Sequence, residues 1–265
     1  MNNFTTNTYE MKREIIIFSN KISKGLNKKE TKFIIDMEYG IAFSGSTIIS
    51  NISRSLKEEI KLKNTIERLC DNLNTFVHYD ELYNNYVEVI GDIYGDEPVA
   101  LFDDSNISKI YGKKFEDLDA VIDASSLDKK ITKGYHICVT VTLTVNESQP
   151  ISLYSQIYSC KSKEFKSMND FTLKSIDAVK SALKRKFTGV FDKGYDDNKI
   201  IDYMGDNYFV IRMNDRRNFL FEGKKKNAYQ EALKRNTIFI SLFFIIMSET
   251  KIRKFTQIVF NNLIC

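Results

Sequence analysis

In the stretch TGVFDKGYDD, residues 188–197, an apolar segment meets an acidic residue and a turn. A short apolar run, residues 188–191, stops on Asp192, and the turn signal Lys193-Gly194-Tyr195 follows at once. A buried strand that ends on a carboxylate places a charge at the edge of a sheet, where ligands and metals bind in α/β domains. A strand end capped by a solvated Asp gives the same pattern. The question is whether the chain supplies a partner carboxylate.

Composition sets the broad class of the protein. The chain has 265 residues and 43% apolar content, enough for one large domain or two ordinary ones. Its four cysteines lie far apart without a C-x-x-C pair, which argues against a zinc site and a disulfide framework and indicates a reducing cytoplasm. The two histidines, His78 and His136, are too few for a His-rich metal site, and His136 lies in an apolar alternation that predicts a packed strand residue.

Charge is distributed unevenly along the chain. Residues 1–97 contain 12 Lys and Arg against 15 Asp and Glu, a net charge of −3. Because the whole chain carries +4, residues 98–265 carry +7. A basic α/β domain with carboxylates at a sheet edge favours a polyanionic substrate held by basic side chains and cut with the help of a metal.

Residues 1–95 are predicted to be a helical region. Ile60, Leu69 and Phe76 lie at helical spacing on one face, and a second run, ELYNNYVEVIGDIY, repeats the pattern up to Ile93. Two shorter helical runs flank residues 40–46. They fit a helix-turn-helix that reads DNA, or an ordinary α-hairpin, which the lack of basic charge favours.

A turn signal at residues 95–98 marks the predicted domain boundary. Three strand-like segments follow, then a helix over 167–186 with Ser167 as its N-cap, the strand that ends on Asp192, a short helix and a last strand. The predicted strands lie at 98–105, 134–144, 150–159, 188–191 and 207–213. The predicted fold is therefore α+β/α/β, with helical region 1–95, mixed-sheet domain 96–222 and tail 223–265.

The first strand of the second domain supplies the partner carboxylate. It ends on Asp103-Asp104-Ser105, and if it lies beside the strand that ends on Asp192, Asp103 and Asp192 become neighbours. Two clustered carboxylates repel each other unless a cation lies between them. Mg²⁺ binds through one or two carboxylates together with phosphate oxygens and water.

In this order and arrangement the segments resemble the RNase H-like fold of the DDE bacterial transposases, specifically the insertion-sequence-four group. The similarity runs from about residue 28 to about residue 230. The residues that carry it are LFDDSNISKIYGKKFEDL (101–118), VIDASS (121–126), KGYHICVTVTL (133–143), VFDKGYDD (190–197) and YFVIRMNDRRNF (208–219).

The resemblance implies a set of site residues and partners. Asp103 and Asp192 are the first two metal ligands of a catalytic triad, with Asp104 as the alternative first ligand, and the cofactor is Mg²⁺ or Mn²⁺, two ions in the intact site. The partners are double-stranded DNA, as element ends and target, and a second copy of the chain in the DNA complex. The cytoplasm, at the nucleoid, is the expected location, with no membrane contact. The residues expected to contact DNA are Arg212, Arg216, Arg217 and Lys193, and a solvated basic turn is the alternative for the three arginines.

The third acid of the family pattern, a Glu on a later helix, does not occur in its expected context. Glu222 and Glu249 are the nearby candidates. The apolar run Thr237–Met247 spans 11 residues, too short for a membrane span, and 236–265 is interpreted as aberrant sequence on a truncated transposase. The alternatives are a non-catalytic DNA-binding remnant and an RNase H-like nuclease. The expectation is a chain that neither nicks nor joins DNA.

Overall fold

The chain, seen in a computed structural model, forms two compact units, residues 1–92 and 93–265. The structure describes residues 3–91, 93–112, 114–123, 127–144, 150–212, 214, 216–221, 224–227 and 243–245. None of the helices in these ranges has both the length and the apolar character that crossing a bilayer requires. The candidate third acids, Glu222 and Glu249, lie outside the described residues.

The described residues of the first unit form five helices. Their bounds are α1 (Asn3–Ile22), α2 (Lys28–Ser44), α3 (Ile49–Leu56), α4 (Leu62–Thr75) and α5 (Tyr79–Ile90). Their apolar faces share one core, which contains Ile22, Phe33, Ile34, Ile52, Leu69 and Phe76. Ile60 and Ile93, predicted on these faces, lie beyond the helix ends and are 51% and 42% exposed.

The helix pair α2 and α3 has well-defined boundaries. The Asn27 side chain accepts hydrogen bonds from the backbone N–H groups of Lys29 and Glu30, and the Glu30 side chain accepts one from the Asn27 N–H, which completes a capping box. Gly45 ends α2 in the left-handed conformation at φ +61°, which glycine adopts without steric cost. A short turn then leads into α3, so two helices flank a turn as predicted.

The second unit is built on a mixed sheet. Its strands are β1 (Val99–Ser108), β2 (Asp119–Ile122), β3 (Ile131–Leu143), β4 (Pro150–Tyr158), β5 (Thr188–Phe191), β6 (Tyr208–Arg212) and β9 (Phe243–Ile245), and a separate hairpin pairs β7 (Asn218–Phe221) with β8 (Lys224–Asn227). The sheet order is β2-β3-β1-β5-β6-β9, with β4 also paired to β3.

Strand β1 lies at the centre of this sheet. It pairs antiparallel with β3 on one side and parallel with β5 on the other, and β6 continues parallel to β5. An antiparallel meander followed by two parallel strands reached through helical crossovers is the predicted RNase H-like order, and the fold class is confirmed.

Two helices connect the parallel strands, α6 (Met168–Leu183) and α7 (Asn198–Met204). Ser167 caps α6 through a hydrogen bond from the Asp170 N–H, as the sequence predicts. The buried residues of α6 include Ile176, Val179 and Leu183. Hydrogen bonds between α6 and α7, such as Lys180 Nζ to the Tyr203 carbonyl at 2.6 Å, join the two helices.

The sheet also contains strands that the sequence did not predict. Strands β2 and β9 have four and three residues, too few for a period-two pattern to register. Strand β9 pairs antiparallel with β6, so residues 243–245 extend the sheet although they belong to the segment interpreted as aberrant.

Candidate active site

The carboxyl ends of β1 and β5 are aligned by a buried aromatic pair. In the parallel register Phe102 lies opposite Phe191, and their rings stack with centroids 4.4 Å apart and planes at 11°. Both residues are buried, at 4% and 3% exposure. Because side chains alternate along a strand, the residues that follow each Phe point to the opposite face of the sheet.

Those following residues are Asp103 and Asp192, and both are exposed. Asp192 keeps an extended backbone, with φ −76° and ψ 173°, so the alternation continues through it. On the next parallel strand Phe191 lies opposite Ile211, and Arg212 follows as an exposed residue. Asp103, Asp192 and Arg212 therefore each follow a residue of an aligned set on three neighbouring parallel strands.

The turn after β5 does not use the Asp192 carboxylate as a cap. Residues 193–195 form a single 3₁₀ turn, closed by a hydrogen bond from the Tyr195 N–H to the Asp192 carbonyl. Tyr195 folds back into the core and packs against Phe191 with ring centroids 5.6 Å apart. The Asp192 side chain makes no capping bond to this turn, so the fold leaves its carboxylate available at the edge.

Asp104, the alternative first ligand, lies on the other face of β1. It pairs across the sheet with Cys138 and lies near the Tyr195 hydroxyl, on the side of Phe191 and α6. Its Oδ1 atom and the Tyr195 hydroxyl make no hydrogen bond of ordinary geometry within the described residues. Burial raises the pKa of Asp104, and the nearby Asp103 charge adds to this rise, whereas the adjacent Tyr195 hydroxyl and Cys138 thiol favour the charged form and lower the pKa.

The raised pKa of Asp104 gives a pH-dependent expectation. An acid whose pKa is higher in the folded state costs stability as the pH rises from its unfolded pKa through its folded pKa. The neutral variant Asp104→Asn should therefore raise the melting temperature at pH 7 and leave it unchanged at pH 3, where the native acid is also protonated. Thermal unfolding at both pH values measures this. Equal shifts at the two pH values would show that packing, not charge, separates the two proteins.

The last acid of the F-D-K-G-Y-D motif, Asp196, is structural. Its side chain is 3% exposed, its Oδ1 atom lies 3.0 Å from Arg217 Nη1, and its Oδ2 accepts a 2.7 Å hydrogen bond from the Asn214 N–H. Arg217 also donates to the side chain of Asn198. Arg217, predicted to contact the DNA backbone, thus has its guanidinium engaged within the chain and fixes the segment after β6.

The other predicted DNA contacts surround the carboxylate edge. Arg212 ends β6 and Arg216 lies in the following turn, and both are exposed. Lys193 follows Asp192 directly and is half-buried. These three basic residues lie within a few positions of the carboxyl ends of the parallel strands, where a bound polyanion would meet the two acids.

In the described part of the chain, the candidate metal site at the carboxyl ends of β1 and β5 contains two acids. No third His, Cys, Asp or Glu side chain in that part converges with Asp103 and Asp192 into a three-ligand cluster. Asp123 follows β2, and its N–H donates to the Lys130 carbonyl.

Sequence reasoning missed one cluster elsewhere in the sheet. Asp119, His136 and Cys160 each present a ligand atom within 4.8 Å of the others. They come from three segments that the meander brings together, and their spacing along the chain, 17 and 24 residues, matches no metal-binding motif. Only the pairing of β2, β3 and β4 assembles them.

Known proteins resemble this chain distantly. No family model matches the chain, and no curated protein matches it. Among solved structures the chain is similar to a piggyBac transposase synaptic complex with hairpin DNA, at TM-score 0.36 and 9% identity over 78% of this chain and 49% of that one. It is also similar to the Drosophila P element transposase strand transfer complex, at TM-score 0.28 and 12% identity over 74% and 52% of the two chains.

A third solved structure is an endonuclease. Ciona intestinalis Endonuclease V, in complex with a 24mer DNA containing an inosine followed by a ribo-adenosine, is similar at TM-score 0.24 and 18% identity, over 58% of this chain and 64% of that one. The chain spans about half of the length of the two transposase chains.

Proposed function

We propose that this chain is a DNA transposase of the DDE type, from the insertion-sequence-four group, in which Asp103 and Asp192 hold divalent cations and strand cleavage and transfer are impaired. The observation that supports the proposal is the alignment of Phe102, Phe191 and Ile211 on three neighbouring strands, which Asp103, Asp192 and Arg212 directly follow. Residues 96–222 are the proposed catalytic domain, and residues 1–95, with the α2–α3 pair, are the proposed DNA-binding region.

The donor chemistry of the acid pair fits a hard dication. Neighbouring strands lie about 4.8 Å apart, so two carboxylates at the same level repel each other in the absence of a cation. Both are exposed and can accept water and phosphate oxygens as further ligands. When bound, Mg²⁺ or Mn²⁺ supplies charge stabilisation to the oxygens of an in-line phosphoryl displacement.

The basic residues of the proposed site bind the phosphates of the DNA backbone. Arg212 and Arg216 are exposed guanidinium groups, which bind phosphate oxygens through two parallel N–H donors. Lys193 adds a point charge beside Asp192. Their role is to hold the DNA backbone across the acids, whereas Arg217 acts indirectly, because its ion pair with Asp196 positions the segment that carries Arg216.

DNA binding by this edge is testable through its salt dependence. Removal of one arginine–phosphate interaction should reduce the slope of log affinity against log salt by about 0.9 for B-DNA, because fewer counterions are released. The double variant Arg212→Gln/Arg216→Gln should therefore flatten the slope by about 1.8. Fluorescence anisotropy with a labelled duplex at several salt concentrations measures it.

A matched pair of lysines serves as the control. Lys163 and Lys166 are exposed and follow β4, at the opposite side of the sheet from β5 and β6. Lys163→Gln/Lys166→Gln removes the same charge and should keep the wild-type slope. If both double variants flatten the slope equally, the arginines act only through the net charge of the chain. The proposed DNA contact at the carboxylate edge would then have no support.

A non-catalytic DNA-binding protein is the second candidate. The absence of a third converging acid within the described residues favours it, because two carboxylates leave the metal geometry unfixed. The two candidates share the DNA interface and differ in the acid pair, which holds divalent cations in the transposase alone.

A further inference from the structure

We infer that Asp119, His136 and Cys160 form a second metal site, which takes a transition-metal dication such as Zn²⁺ and is distinct from the carboxylate pair. Asp119 opens β2, His136 lies in β3, and Cys160 follows the end of β4. Their ligand atoms all lie within 4.8 Å of one another. Neither the proposed function nor the acid pair uses any of the three.

The distances suit a tetrahedral ion. His136 Nε2 lies 3.7 Å from Asp119 Oδ2. Bond lengths of about 2.0–2.3 Å place neighbouring ligands of a tetrahedral Zn²⁺ roughly 3.3–3.8 Å apart, so this pair already has the required separation. The Cys160 sulfur lies within 4.8 Å of the other two ligand atoms, so a rotation of its side chain can bring it to bonding distance of the ion.

Surrounding contacts orient the ligands. The His136 ring stacks on Tyr158, with centroids 5.3 Å apart and planes at 24°. Asp119 Oδ1 accepts a 2.7 Å hydrogen bond from the Ala120 N–H, and Oδ2 accepts one of 3.0 Å from the Cys160 N–H. Fixed partners of this kind reduce the entropic cost of assembling a metal site.

The segment that carries Cys160 is hydrogen-bonded to the two residues that precede Asp119. Ser159 Oγ donates to the Asp117 carbonyl at 2.5 Å, and Lys161 Nζ donates to the Leu118 carbonyl at 2.8 Å. Cys160 is exposed, whereas the side chains of His136 and Asp119 are 18% and 13% exposed. The ion would therefore enter from the Cys160 side, and water would occupy its fourth position.

The donor set selects the metal. One thiolate, one imidazole and one carboxylate suit Zn²⁺ or Co²⁺, whereas Mg²⁺ prefers oxygen ligands and retains its water. A bound ion would join the four-residue strand β2 and the loop after β4 to the centre of the meander. Binding to the folded state alone would then raise the stability of the second unit.

Cobalt(II) titration of the full chain tests the inference. A thiolate-ligated tetrahedral Co²⁺ has a ligand-to-metal charge-transfer band in the near ultraviolet and intense d–d bands. We expect both bands with one Co²⁺ per chain, displaced by Zn²⁺, and a rise in melting temperature with Zn²⁺. Cys160→Ser should remove the charge-transfer band, and His136→Gln should weaken Co²⁺ binding by at least about tenfold, as expected for the loss of a direct ligand.

Two controls make the result decisive. Cys70→Ser changes a half-buried thiol of the first unit and should keep both bands. Asp192→Asn should also keep them, so failure of the acid pair and failure of this site are distinguishable. A charge-transfer band that survives Cys160→Ser, or no Co²⁺ bands in the wild-type chain, would overturn the inference and leave the three residues as a hydrogen-bonded cluster.

Discussion

Asp192→Asn should weaken Mn²⁺ binding by the second unit at least about tenfold, and Asp103→Asn should do the same. Loss of partners that merely orient a metal ligand costs about 10- to 100-fold in affinity, so loss of a direct charged ligand should cost no less. Electron paramagnetic resonance of free Mn²⁺ measures the affinity. Both substitutions are nearly isosteric at exposed positions, so the fold should be retained.

Asp104→Asn is the matched control for this measurement. It makes the same chemical change one residue away, on the opposite face of β1, and should leave the Mn²⁺ affinity close to that of the wild-type chain. If Asp104→Asn weakens binding and Asp103→Asn does not, the first ligand is Asp104. If all three variants bind Mn²⁺ like the wild type, the acid pair holds no metal and the proposed function loses its support.

Strand cleavage then tests whether the acid pair of this chain is sufficient for catalysis. Small misplacements at such a site cost about 10²-fold in rate, so a metal held by only two acids should give no detectable nicking or joining in Mg²⁺ or Mn²⁺. Cleavage that Asp192→Asn abolishes would show that a third ligand completes the site. Glu222 and Glu249 would then be the first residues to replace.

The architecture of the second unit was predictable because local and global signals agree there. Apolar alternation gives the strands, the Ser167 cap gives the start of α6, and the element order gives the pairing of β1 with both β3 and β5. A period-two pattern also shows on which face of the sheet each side chain lies. Once Phe102 and Phe191 are assigned to the core, their successors Asp103 and Asp192 must share the other face.

What the sequence did not predict depends on pairings between distant segments. Strand β2 is too short to show a period, yet its pairing with β3 brings Asp119 to His136. His136 was correctly expected within a strand, but an apolar alternation does not reveal which side chains lie on the neighbouring strands. The ion pair between Arg217 and Asp196 was not predicted for the same reason, since Asp196 lies 21 residues away in a different turn.

Arg217→Met should lower the free energy of unfolding of the second unit by about 3 kcal/mol or more, because it leaves the Asp196 carboxylate buried without its cation. The Asp196 side chain is 3% exposed and that of Arg217 22%, so solvent screens the pair poorly. Asp196→Asn/Arg217→Met removes both charges and should be less destabilised than the sum of the single variants. Urea unfolding at neutral pH measures all four proteins.

Arg216→Met is the control for this cycle, since it removes an exposed arginine from the adjacent position and should change stability by no more than about 0.5 kcal/mol. In the DNA-binding experiment, the two arginines should show the opposite order of effects. We expect Arg216 to contribute to the salt slope and little to stability, and Arg217 to contribute to stability and little to the slope. If Arg217→Met leaves the unfolding free energy unchanged and flattens the salt slope, Arg217 contacts DNA directly, and its bond to Asp196 gives way when the duplex binds.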